Sequence, residues 1–169
     1  NTVRLTAEAG FDWISDTYDD DLPYWIEVGD RDQLVIPYTL EANDMRFATA
    51  PGYITGEQFF TYLKDSFDTL YAEGLAGRPA MFSIGLHNRL IGRPGKIAGL
   101  KKFLEYAKGF EGVWFPRRID IAQHWAKTHP HVRRERPSQM DKAAFVAKYG
   151  GIFEHSAWIA ERAWDLELG

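Results

Sequence analysis

The sequence predicts an α/β fold built from crossover-connected strands, and three observations carry that expectation. Short apolar runs at 11–15, 34–36, 80–86 and 113–115 have the length and composition of strands. Helix-periodic segments at 55–73, 94–107 and 119–127 alternate with the later runs, the order in which parallel strands are connected. Hydrophobic residues make up 45% of the 169 and aromatic residues 15%, enough apolar surface to offset the chain entropy that keeps polar sequences unfolded.

Each element follows from local chemistry. Asn1-Thr2 offers N-cap groups to a short helix over 3–9, closed by Gly10. Phe11-Asp12-Trp13-Ile14-Ser15 alternates apolar and polar side chains as a half-buried strand does, and runs into the acidic turn Asp19-Asp20-Asp21-Leu22-Pro23. Leu34-Val35-Ile36 is a second strand, ended by Pro37. The stretch 39–56 is too long and irregular for an ordinary connection and reads as a functional loop. Thr55 and Gln58 make a capping-box pattern, after which Phe59, Leu63, Phe67 and Leu70 recur at helical spacing.

Residues 80–86 form a mostly apolar run of the kind buried on both faces of a parallel sheet, with His87 at its C-terminal end. Pro94 opens a helix carrying Ile97, Leu100, Leu104 and Ala107, and Gly109 lies past its end. Val113-Trp114-Phe115 is the next strand and 119–127 the next helix. About four strands result, against the roughly seven or eight that close a (β/α) barrel, so half a barrel is expected. Residues 131–139 turn basic and polar, with Pro137 set against regular structure, and read as a mobile linker. Beyond it, residues 140–169 hold two short helices, the second capped by Ser156, too little to bury an independent core.

Composition excludes several classes of function. The formal charge is −4 and the basic residues are dispersed, apart from Arg133, Arg134 and Arg136, so no nucleic-acid face is expected. Cysteine is absent, which removes disulfides and thiolate chemistry. No apolar run approaches the roughly 18 residues of a membrane span and no signal segment opens the chain; a soluble cytoplasmic protein is the expectation.

In parallel α/β folds, side chains just past the C-terminal strand ends converge where ligands bind. That address belongs to Asp19, Asp20 and Asp21; to Asn43, Asp44 and Arg46; to His87, Arg89 and Arg93; and to Arg117 and Arg118. His87 is the leading catalytic candidate, because an imidazole there can move a proton, polarise a carbonyl or ligate zinc; a rim histidine bonded to nearby backbone is the alternative. The acidic turn can equally be a solvated turn, and Arg89 and Arg93 can brace loops. Phe59, Phe60, Tyr62, Phe67 and Tyr71 read as core and interface. His124, His129 and His131 match no metal-site spacing.

Several long motifs resemble one family: Asp20-Asp21-Leu22-Pro23-Tyr24-Trp25, residues 35–40, Asn43-Asp44-Met45-Arg46-Phe47, residues 83–95 and residues 114–125. They are similar to the allantoinase branch of the polysaccharide deacetylase (NodB-homology) family, over residues 1–130. The resemblance implies the C-terminal part of a (β/α) deacetylase-type barrel followed by a short all-α segment. It implies opening of the cyclic amide of allantoin to allantoate in urate catabolism, with His87 catalytic and Asp20, Asp21, Asn43, Asp44, Arg46, Arg89 and Arg93 binding substrate. The deacetylase branch uses an Asp-His-His zinc site in strands upstream of these motifs. The allantoinase branch implies no cofactor. Residues 144–163, with Tyr149-Gly150-Gly151-Ile152-Phe153-Glu154-His155-Ser156, resemble the start of the OHCU decarboxylases, whose product is allantoin. The expected parent is a homo-oligomeric fusion of two consecutive steps, and this piece alone is expected to be inactive. The alternatives are a zinc-dependent polysaccharide (chitin-type) N-deacetylase and a non-catalytic scaffold module.

Overall fold

The structure, a computed structural model, describes residues 2–133, 137–152 and 154–166. Asn1, Arg134, Arg136 and Phe153, all named above, lie outside the described residues. The chain divides into two compact units, Asn1–His131 and Val132–Gly169.

The first unit opens with α1 (Thr2–Glu8), which ends as Gly10 takes φ 80°, a left-handed value that favours glycine. A three-stranded sheet follows: β1 (Trp13–Ile14), β2 (Tyr24–Val28) and β3 (Arg31–Val35), in the order β1-β3-β2. β1 runs parallel to β3, with Trp13 opposite Leu34, whereas β2 is antiparallel to β3, with Tyr24 opposite Val35. The hairpin corrects the expectation of purely crossover-connected strands. Its second strand begins at Arg31, ahead of the apolar run at 34–36, and its first strand has no counterpart among the expected ones. The signal is present in Tyr24-Trp25-Ile26-Glu27-Val28, an aromatic and β-branched run before Gly29, which turns the chain at φ 61°.

Two expected strands are also corrected. Residues 113–115 carry no strand pairing, and the run 80–86 is extended but joins a neighbour through a single parallel bridge, Gly85 opposite Asn43. Apolar composition marks an extended segment, but a ladder also needs a partner at the right register. Among the described residues, therefore, a small mixed sheet and one bridge stand where half a barrel was expected.

Helices supply most of the core. α2 (Gly56–Leu75) starts on the predicted capping box: the Thr55 hydroxyl accepts the Gln58 N–H at 3.2 Å, and the Gln58 side chain accepts the Thr55 N–H at 3.2 Å. It buries Phe59, Phe60, Leu63 and Phe67 against Leu100, Phe103 and Ala107 of α4 (Pro94–Ala107). Each large side chain buried this way contributes about 1.5–3 kcal/mol. The helices meet through glycine: a Cβ on Gly99 would lie 2.0 Å from the Gly56 carbonyl oxygen. Between them comes α3 (Asn88–Ile91), one turn beginning immediately after His87. α5 (Arg118–Thr128) lays Ala122 against Leu34 and Ile36 of the sheet region, with Trp13, Trp25, Met81 and Trp125 around them.

The second unit contains a 3-10 turn (Pro137–Gln139), α6 (Lys142–Tyr149) and α7 (Ala157–Asp165). Pro137 thus opens a helical turn instead of excluding one, as its fixed φ permits. Asp141 caps α6 through the Ala144 N–H at 2.8 Å, but Ser156, the expected cap of α7, makes no such bond. Phe145 packs on Trp164 with ring centroids 5.5 Å apart. No described helix is long and apolar enough to cross a membrane.

Candidate active site

The single bridge between distant segments builds the site. The Gly85 N–H donates to the Ala42 carbonyl at 2.8 Å and the Asp44 N–H donates to the Gly85 carbonyl at 3.0 Å, which sets residues 42–44 beside residues 85–87. Asp44 opens a 3-10 turn (Asp44–Phe47) capped by Asn43, whose side-chain oxygen accepts the Met45 N–H at 2.8 Å.

The Asp44 carboxylate is fully buried, and protein groups occupy both of its oxygens. Oδ2 accepts the backbone N–H of His87 at 2.8 Å and that of Ile91 at 3.0 Å, while Oδ1 lies 2.7 Å from His87 Nδ1. A carboxylate only accepts, so Nδ1 carries the proton between them, and in the neutral imidazole the Nε2 lone pair is left for another partner. The His87 side chain is 30% exposed, so that lone pair is within reach of a ligand or water. An imidazole held in this way can serve as a general acid or base.

The placement changes what several predicted residues can do. Asp44, expected to accept substrate N–H groups, is sealed from solvent and orients His87 instead. Asn43, expected beside it as a substrate ligand, is 5% exposed and spends its amide on Met45 and on the Tyr38 hydroxyl. Both corrections have one cause, since a side chain that holds the bridge together is covered by it.

The other predicted residues are exposed. Arg46 donates to the Pro51 carbonyl at 2.8 Å and lines a cleft of about 180 Å³ with Glu41, Tyr53 and Tyr62. Burial pushes the Tyr53 hydroxyl up to about 12. Asp20 accepts the Asp21 N–H at 2.7 Å and so braces its own turn. Next to it, hydrogen bonds from Thr17 and Tyr24 hold the Asp19 carboxyl below its ordinary value of 3.8. Arg89 and Arg93 lie exposed on α3 and at the N-cap of α4. No hydrogen bond or ion pair among the described residues joins Asp20, Asp21, Arg46, Arg89 or Arg93 to the Asp44–His87 pair.

Arg118, placed on the rim by sequence without a role, is a brace. Its guanidinium donates to the Ser15 hydroxyl at 2.7 Å, to the carbonyls of Ile36 and Pro37 at 3.1 and 3.2 Å, and to the Ser83 hydroxyl at 3.2 Å. It thereby ties the ends of β1 and β3 to the 80–86 segment, and burial draws it below its ordinary value of 12.5. Tyr38 and Gly85 are not singled out by the sequence, since their importance lies in contacts with residues far along the chain.

The zinc ions of deacetylases need three converging protein ligands, and no group of three His, Asp or Glu residues is arranged for a metal among the described residues. His87 and the fully engaged Asp44 do not make such a site, and no step below runs through a metal.

The first unit is thus a mixed α/β unit with a carboxylate-oriented histidine at the end of an extended segment. No protein-family model matches the chain. A Schizosaccharomyces pombe protein provisionally named polysaccharide deacetylase is 48% identical over 126 residues, which cover 69% of this chain and 39% of that protein. Among crystal structures, a Pseudomonas aeruginosa PAO1 protein with the same provisional name matches at a TM-score of 0.75 and 57% identity, over 78% of this chain and 45% of its own. The PuuE allantoinase matches at 0.75 and 58% identity, over 78% and 44%. The chain thus spans less than half the length of these relatives. The matched stretch is a fragment of the polysaccharide deacetylase (NodB) family, whose deacetylase and allantoinase members are hydrolases.

Proposed function

We propose that this chain carries part of the active site of a hydrolase that opens the hydantoin ring of allantoin to allantoate. The observation that carries the reading is the His87 imidazole, held by buried Asp44 with Nε2 free. The 58% identity to an allantoinase supports a cyclic amide as substrate, and the 57% identity to a protein named polysaccharide deacetylase keeps an acetylated sugar as the second reading. In this reading His87 Nε2 takes a proton from water as its oxygen bonds to the ring carbonyl carbon, then returns it to the ring nitrogen as the C–N bond breaks. Arg46, Arg89 and Arg93 offer donors to the substrate's carbonyl oxygens, and Asp20 and Asp21 accept its N–H groups. This reading assigns none of the described residues to a metal or cofactor.

The second unit is proposed as the start of an OHCU decarboxylase domain, which would couple formation of allantoin to its hydrolysis. Support comes from the motif at 144–163 and from the unit's separate packing. The full-length protein is proposed to be cytoplasmic and homo-oligomeric.

The test is turnover of allantoin and of N-acetylated sugar oligomers by the full-length protein and by its His87→Ala variant. Allantoin should be consumed, and the variant should remain folded while losing about 100–10,000-fold in kcat. Turnover confined to the acetylated sugars would overturn the substrate, and unchanged kcat in the variant would overturn the role of His87.

A further inference from the structure

Three residues, Tyr38, Asn43 and Gly85, surround the bridge that brings Asp44 to His87. Gly85 occupies the middle of the bridge, two residues before His87. A Cβ there would lie 2.5 Å from Asn43 Nδ2, 2.5 Å from the Tyr38 hydroxyl and 2.8 Å from Asn43 Cγ. The bare α-carbon is therefore a packing surface on which the tips of two other side chains rest.

Those two tips are joined to each other, with the Asn43 amide donating to the Tyr38 hydroxyl. The same amide's oxygen caps the Met45 N–H at 2.8 Å, fixing the first turn of the 3-10 segment in which Asp44 stands. Tyr38 is anchored in turn, since its N–H donates to the Thr17 carbonyl at 2.8 Å where the chain leaves the sheet. A continuous path thus runs from the end of the sheet through Tyr38 and Asn43 to Asp44, and presses on the segment carrying His87.

The geometry points to Tyr38, Asn43 and Gly85 as a positioning lock that sets the Asp44–His87 register, and with it the tautomer of His87. This rests on the reading of His87 as the proton-transfer group. The lock matters because Asp44 must meet the His87 ring and backbone N–H at 2.7 and 2.8 Å together, which leaves little room for the two segments to slide.

The experiment is ¹⁵N and ¹H NMR of the histidine side chains in the 169-residue chain, with Gly85→Ala, Tyr38→Phe and the double variant. The wild-type chain should show His87 in a single Nδ1–H form with that proton in slow exchange. Gly85→Ala forces the Asn43 amide off its seat, so His87 should become a mixture of tautomers with a fast-exchanging ring proton. Tyr38→Phe keeps the ring and removes the hydroxyl; it should give a smaller change of the same kind. It also removes one of the two polar tips that the added methyl group would meet, so adding Gly85→Ala to it should shift the signal less than Gly85→Ala does alone. In the full-length protein the Gly85→Ala change should lower kcat by up to about 100-fold with KM nearly unchanged, the size expected of a misplaced catalytic group.

A wild-type chain lacking the Nδ1–H form would overturn the Asp44–His87 reading itself. Wild-type-like tautomers in folded Gly85→Ala and Tyr38→Phe, with only a lower unfolding temperature, would overturn the lock and leave that reading intact. If Gly85→Ala does not fold, the milder Tyr38→Phe decides alone.

Discussion

Replacing Asp44 by asparagine changes one oxygen to an NH₂ group and alters little else, so it separates the structural work of the carboxylate from its chemical work. Oδ2 accepts two backbone N–H groups, from His87 and Ile91, and the asparagine oxygen will be held there because an NH₂ would oppose both donors. The NH₂ then faces His87 Nδ1 in place of Oδ1 and can only donate, which drives the ring proton to Nε2. The cost in stability is the difference between a charged and a neutral acceptor, about 1 kcal/mol. Asp44→Ala costs more, about 1–3 kcal/mol, because the part-buried His87 N–H loses its partner; Ile91 N–H still reaches the His87 carbonyl at 3.0 Å. Activity should follow the opposite order of concern. With Nε2 protonated the imidazole cannot accept a proton, and the equivalent exchange in serine-protease triads lowers kcat about 10⁴-fold. Urea unfolding of both variants, with turnover measured in the full-length protein, tests the assignment. Asp44→Asn with near-normal kcat would refute the claim that this carboxylate sets the tautomer.

Two further outcomes follow from packing and charge. Gly99→Ala should destabilise the first unit by about 1–3 kcal/mol, because its Cβ meets the Gly56 backbone at 2.0 Å and forces α2 and α4 apart; thermal unfolding lowered by several degrees is the expected reading, and an unchanged midpoint would contradict the close crossing. Acid should weaken the same pair of helices: the Lys64 hydrogen bond, and then that of the Tyr106 hydroxyl, hold the Asp68 carboxyl below its ordinary 3.8. The folded state then binds fewer protons than the unfolded chain, so this contribution is complete above about pH 4 and lost as pH falls through the folded value. Asp68→Asn should show a shallower loss of urea midpoint over that acid range, and a slope identical to wild type would count against the pairing.

Local chemistry was legible in the sequence wherever it sufficed to specify structure. The capping box of Thr55 and Gln58, the apolar stripe of Phe59, Leu63 and Phe67, and Pro94 at the start of α4 all act within a few residues, and α2 and α4 stand where those signals put them. His87 at the end of an apolar run was legible for the same reason. Pairing was not legible. Nothing within residues 80–86 says whether they join a full ladder or only one bridge, and nothing near Asp44 says that it is buried beneath a histidine 43 positions later. Asn43 and Asp44 looked like ligands because a polar pair in a long loop is exposed by default. The bridge between Asn43 and Gly85 buries them, and a buried carboxylate must be met by donors from its surroundings, which are supplied here by segments far apart in the chain. Residue type and spacing decided which groups were available for chemistry; the tertiary structure alone decided that Asp44 holds His87, because a hydrogen-bonded pair is defined by distances that no local pattern contains.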